Sequence, residues 1–193
     1  MTSYTLNAPF FEAVLLPELV RRRASPIVVF VDRTTGYTPA VGAVGSLTAA
    51  GRDYYLVPVD WGARAFHPKV HLFCHRNVAL VGSGNLTPSG MGRNLEAFDR
   101  LDGQAESAAL DQVREFFRAL IKHELASLPQ RERTHLLARV PATNGGKGDA
   151  SFLHSLGTRV STSNSRASTW VAMATKVYLR LRFRTTTTRP TAS

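Results

Sequence analysis

A histidine, a lysine, two small hydrogen-bonding residues and a carboxylate fall within one short stretch of this chain. His67-Pro-Lys69 puts His67 and Lys69 on one face of an extended run, because side chains alternate along a strand. Asn77-Val-Ala-Leu-Val-Gly-Ser-Gly-Asn85 is apolar and then opens into small polar residues, the pattern of a buried strand whose end delivers Ser83 and Asn85 into a site. Asn94-Leu-Glu96 follows. His67 offers a neutral nucleophile or base, Lys69 a fixed cation, Ser83 and Asn85 neutral hydrogen bonds, and Glu96 a carboxylate. Phosphodiester hydrolysis is extremely slow unaided, so a catalyst must supply a nucleophile, charge neutralisation and leaving-group protonation together. This set suits that attack with Lys69 in place of a metal ion, so no cofactor and no metal are expected.

The order H-x-K, then G-S-x-N at hairpin distance, then N-x-E resembles the phospholipase D superfamily. The extended form, His67-Pro-Lys-Val-His-Leu-Phe73, then Val81-Gly-Ser-Gly-Asn-Leu-Thr-Pro-Ser-Gly90, then Asn94-Leu-Glu96, is closer to its nuclease and helicase-associated phosphodiesterase branch than to the lipases. The resemblance spans residues 1 to 125, and its specific part is 67 to 96. It implies an α/β layered domain with a mixed β-sheet flanked by helices. It also implies that His67 attacks phosphorus to form a phosphohistidine, that Lys69, Ser83 and Asn85 hold the non-bridging oxygens, and that Glu96 orients a histidine. The fuller family signature has an Asp five residues after the lysine, where this chain has Cys74. That position is largely structural in the family, so the change reads as divergence.

One motif supplies one histidine, which is half a site, and no second H-x-K occurs. By resemblance, single-motif members complete the pair as two-fold homodimers, facing two copies of the histidine. The expected function is metal-independent cleavage of nucleic acid by a homodimer, with a helicase or restriction system as a further partner. A catalytically incomplete half that only binds nucleic acid or a partner protein is the rival from a different class. Phospholipid hydrolysis or phosphatidyl transfer is the rival among enzymes; the N-x-E and the lack of an amphipathic membrane helix count against it.

The elements that must position these residues are legible from pattern. Residues 3–6 form a short edge strand, and Asn7-Ala-Pro9 caps a helix carrying Phe10, Phe11, Val14, Leu15 and Leu19 on one side. Arg21 to Arg23 close that helix, where cations complement its dipole and read as a solvated end rather than a nucleic-acid contact. Ile27 to Asp32 is a strand buried on both faces. Residues 36 to 51 read as a loop or short helix. Tyr54 to Val59 is the next strand, and 66–74 with 77–82 form a hairpin turning near His75-Arg76. Residues 88 to 92 make a glycine-rich turn, and 95–101 another strand. Residues 106 to 125 form an amphipathic helix with Leu110, Val113, Phe116, Phe117, Leu120 and Ile121 inward. Strands flanked by helices argue an α/β layered domain. His71 reads as a structural neighbour of the site. Trp61, Tyr54 and Tyr55 read as packing aromatics, and His75, His123, His135 and His154 have no companions at metal-ligand spacing.

At 193 residues the chain is one domain by length, with 44% hydrophobic and 20% charged residues. Its net charge of +10 is uneven: residues 150–193 hold seven Lys or Arg and no acid, leaving 17 basic against 14 acidic residues, or +3, in 1–149. A basic balance favours polyanionic partners. The expected division is a phosphodiesterase domain over 1–141, then a linker and a Ser/Thr/Arg-rich tail over 142–193, poorly ordered because Ser, Thr and Arg dominate it and no acid offsets the charge of residues 150–193. A single cysteine fits a reducing compartment, and no apolar run approaches bilayer length. With no signal-peptide pattern at the start, a cytoplasmic location is expected and no membrane.

Overall fold

The computed structural model describes residues 1–43, 45 and 47–143; the expected tail lies outside them apart from residues 142 and 143. Strands β1 (Thr2–Ser3), β2 (Val28–Asp32) and β3 (Tyr55–Val59) form a parallel sheet in that order. Strands β4 (Val70–Phe73), β5 (Val78–Gly82) and β6 (Phe98–Asp102) form an antiparallel sheet. The mixture of sheets and helices is α/β, as expected, but the single mixed sheet is not found. Thr2 explains the division. At the seam its hydroxyl accepts from Val70 N at 2.8 Å and donates to Val70 O at 3.2 Å, so a side chain stands where a backbone ladder would run. One core nevertheless crosses the seam, with Phe30, Val57 and Val59 packed alongside Phe66, Val70 and Ala79.

Alternation along β2 serves two layers. Phe30 packs under α4 (Ser107–Lys122), whose Leu110, Val113, Phe116, Phe117, Leu120 and Ile121 are buried as their spacing requires. Val29 and Val31 face the other way, into Leu6, Phe11, Leu16 and Leu86. That second layer comes from α1 (Ala8–Phe10) and α2 (Leu16–Arg21), joined by a wide helical turn over Phe11–Leu15. Asn7 caps α1, its side chain accepting from Phe10 N at 2.9 Å, with Pro9 in the first turn. After β2, a wide turn at Arg33–Tyr37 leads into α3 (Thr38–Gly42), in the region read as loop or short helix.

Several boundaries differ from the sequence reading. The hairpin strand begins at Val70 rather than Phe66, because Pro68 has no amide to donate and Phe66 N turns to Asp32. Residues Ser89–Arg93 form a wide helical turn rather than an open loop. Helix α5 (Gln130–Arg139) was not foreseen: it is polar overall and buries Leu136. It is held by Arg133, which donates to the carbonyls of Ile121, His123, Ala126 and Leu128 and so satisfies the chain leaving α4. Among the described residues no helix is long and apolar enough to cross a membrane.

Candidate active site

The motif residues gather at the carboxyl ends of β1 and β2, the end of a parallel sheet where loops can surround a ligand. His67 and Lys69 lie just ahead of β4. Asp32, the last residue of β2, fixes that approach, and no sequence pattern had marked it. One carboxylate oxygen accepts from Thr34 N, Thr35 N and Thr35 Oγ1 at 2.9–3.0 Å, and the other from Phe66 N at 2.9 Å. Burial alone would raise the pKa of Asp32, but these donors together hold it below the ordinary value. It therefore stays charged while only 5% exposed.

Lys69 is 6% exposed, and its ammonium lies 2.6 Å from Nδ1 and 3.0 Å from Nε2 of His67 while donating to the His67 carbonyl at 3.0 Å. Tyr4, immediately after β1, completes the enclosure: its ring centroid is 4.4 Å from that of His67 and 5.8 Å from Lys69 Nζ. Tyr4 also escaped the sequence reading, since nothing in Ser3-Tyr-Thr5 marks a site. The His67 pKa is lowered, first by desolvation and then by the Lys69 charge, with Asp32 opposing. Lys69 is itself lowered by desolvation, with Glu96 opposing. The result is a solvent-facing imidazole biased to its neutral, nucleophilic form beside a cation.

Asn85 faces inward. Its side-chain oxygen sits 3.1 Å from Tyr4 N, 3.4 Å from Thr5 N and 3.3 Å from Ser3 Oγ. Two backbone donors fix which amide atom is oxygen, so the carbonyl is committed to shaping the Tyr4 segment and the NH2 remains to meet a ligand. Gly90 makes room for this: a Cβ there would lie 2.4 Å from both Asn85 N and Asn85 O. Ser83 donates to the Glu96 carboxylate and accepts from Ala97 N at 3.1 Å. Within one copy, then, Glu96 is held by Ser83 and makes no hydrogen bond to an imidazole. His67 and Lys69 meet directly and Asn85 joins them through the Tyr4 segment, while Ser83 and Glu96 form a separate pair whose carboxylate acts on Lys69 through its charge.

His71 lies within β4 itself, away from the opening. It is 2% exposed, stacks against Phe98 with ring centroids 6.2 Å apart, and has both ring nitrogens unpartnered. Burial holds its pKa down to about 3, with the N-terminal amine adding to the effect. Beside His67 runs an apolar cleft of about 280 Å³ lined by Trp61, Ala65, Phe66, Phe116, Leu120 and His123, among others. Trp61 forms a wall of this cleft as well as packing on the core, and its ring lies 6.5 Å from that of His123. Among the described residues no group of three or more His, Cys, Asp or Glu side chains stands close enough to hold a metal ion. No family model, curated protein or solved structure matches the chain.

Proposed function

We propose that the chain is a phosphodiesterase of the phospholipase D type that cleaves nucleic acid without a metal, as a homodimer. The observation that carries this reading is the His67–Lys69 contact: a neutral, solvent-facing imidazole with a buried ammonium against its ring nitrogens. A ring nitrogen of His67 attacks phosphorus, forming an N–P bond as the bond to the leaving oxygen breaks. Lys69 and the Asn85 NH2 balance the charge on the non-bridging oxygens. The leaving alkoxide takes its proton from a second histidine in its imidazolium form, the partner's equivalent of His67, which is left as neutral imidazole. That imidazole then removes a proton from water, whose attack on phosphorus releases His67 and a phosphomonoester.

The apolar cleft beside His67 supports a substrate with a flat or greasy group next to the scissile phosphate. Its volume is just below the roughly 300–1,000 Å³ range of drug-sized sites, which suits one ring system. A non-cleaving binding module is the second reading, favoured by Glu96 being held by Ser83 rather than by a histidine.

The test is cleavage of single- and double-stranded DNA by the full chain in excess EDTA, beside His67→Ala and a phosphatidylcholine substrate. Persistent DNA cleavage by the parent, lost in the variant, supports the nuclease. Cleavage of the lipid alone selects the phospholipase, and no cleavage at high protein concentration selects the binding module.

A further inference from the structure

We infer that a second site, an arginine-lined hollow at the end of the molecule opposite His67, binds the phosphate backbone of nucleic acid. The identity of the polymer rests on the reading above; the existence of a polyanion site does not. Arg21, Arg22 and Arg23 end α2, and His75 and Arg76 lie in the turn between β4 and β5. These segments are far apart in sequence, yet the five side chains line one hollow, and all five are exposed. Glu18 pairs with Arg21 and Arg22, while Arg23 and Arg76 have no ion pair among the described residues. Four arginines against one glutamate leave about +3 there before His75 is counted, by simple charge arithmetic.

The backbone gives an independent sign. Arg23 and Asn77 are the non-glycine residues with positive φ among the described residues, at 59° and 54°, and each adjoins the hollow. Arg23 occupies the left-handed position that closes α2: its amide donates to Val20 O at 2.8 Å, and Ala24 N donates to Leu19 O at 3.0 Å. Glycine fits that position without cost, and an arginine costs about 1 kcal/mol there. The strained corner thus keeps a cation where an uncharged residue would be the relaxed choice.

Charge and shape select the ligand. Guanidinium forks match phosphate oxygens, and nothing apolar lines the hollow, whereas a membrane surface would need apolar anchors beside the cations. The distance to the site is also fixed. From Lys69 along β4 to Cys74 is about 17 Å at about 3.3 Å per residue. A duplex with its scissile phosphate at His67 therefore reaches the hollow about five base pairs away, at about 3.4 Å per base pair.

The experiment compares the full chain carrying His67→Ala, which prevents turnover, with the same chain carrying also Arg22→Gln, Arg23→Gly and Arg76→Gln. Arg23→Gly removes the charge while relaxing the backbone, so loss of fold is not the expected result; matching circular dichroism and melting temperature check it. Affinity for a labelled 30-base-pair duplex is measured from 50 to 300 mM salt. Losing three phosphate contacts should make the slope of log Kobs against log salt shallower by about 2–3. Affinity at low salt should fall at least tenfold. An unchanged slope and affinity would place binding elsewhere and overturn the inference. So would loss of binding to phosphatidylserine vesicles with duplex binding intact. If the arginine variant loses duplex binding while the chain with His67 intact cleaves nothing, this site stands and the nuclease reading fails. If the parent binds no duplex at low salt, both fail.

Discussion

The ammonium of Lys69 stands 2.6 Å from Nδ1 of His67, close enough for one side chain to set the protonation of the other. Lys69→Met should raise the His67 pKa, because the cation that disfavours the imidazolium is gone; NMR titration of the ring reads this directly. The same variant should lose at least 100-fold in cleavage, on the order of one lost oxyanion contact. An unmoved His67 titration would show that the contact carries no electrostatic weight.

In the parent, the acid limb of kcat/KM should lie below the ordinary histidine value, since burial and Lys69 both favour neutral His67. Activity therefore persists as pH falls past 6.5, where an unperturbed imidazole would already be protonated. A limb above 6.5 would place the nucleophile elsewhere.

Asp32→Asn replaces one of two accepting oxygens with a donor. Either Phe66 N or the Thr34–Thr35 turn then faces an NH2 instead of an acceptor. A loss of about 2–3 kcal/mol is expected in urea denaturation, the scale for a charged hydrogen bond broken in a buried place. The His67 pKa should fall further, because Asp32 is the group that opposes its depression.

His71→Leu should stabilise the fold by about 1–2 kcal/mol at neutral pH, since it removes two buried, unpartnered nitrogens. It should also flatten the acid limb of stability. With a folded pKa of about 3 against 6.5 unfolded, the unfolded chain binds a proton between those values and the folded chain does not. Parent stability attributable to His71 is thus complete above pH 6.5 and falls by about 1.4 kcal/mol per unit below it. Denaturation midpoints at pH 7 and pH 5 should differ less in the variant than in the parent; equal differences in the two proteins would refute the assignment.

Gly90→Ala forces a methyl against the backbone of Asn85, with no flexible side chain to yield. Cleavage should drop by tenfold or more with the fold retained, because a 1 Å displacement of a positioning group costs on that order or more. Crystal structures or amide shifts of Tyr4 and Thr5, whose NH groups meet Asn85, would report the displacement.

His67, Lys69, Ser83, Asn85 and Glu96 were legible in the sequence because they flank the strands of one local antiparallel sheet, just ahead of β4, just after β5 and just ahead of β6. Short range and fixed alternation carry such residues to one end of a hairpin whatever surrounds it. The long helix α4 was legible for a like reason, its apolar period being local. Tyr4, Asp32 and Arg133 were not legible. Tyr4 and Asp32 act through partners far along the chain, Arg133 through carbonyls that only the turn after α4 brings to it, and β1 itself is two residues long. An acid ending an apolar strand, as Asp32 does, is a signal that would have found it. Only tertiary structure decided that Thr2 divides the sheets, that Asn85 turns its carbonyl to β1, and that Glu96 is held by Ser83. The sequence determines which chemistry is present, through residue types at local spacing. Which groups are spent on one another and which face a ligand follows from long-range packing, where a polar atom bonds whatever burial brings beside it.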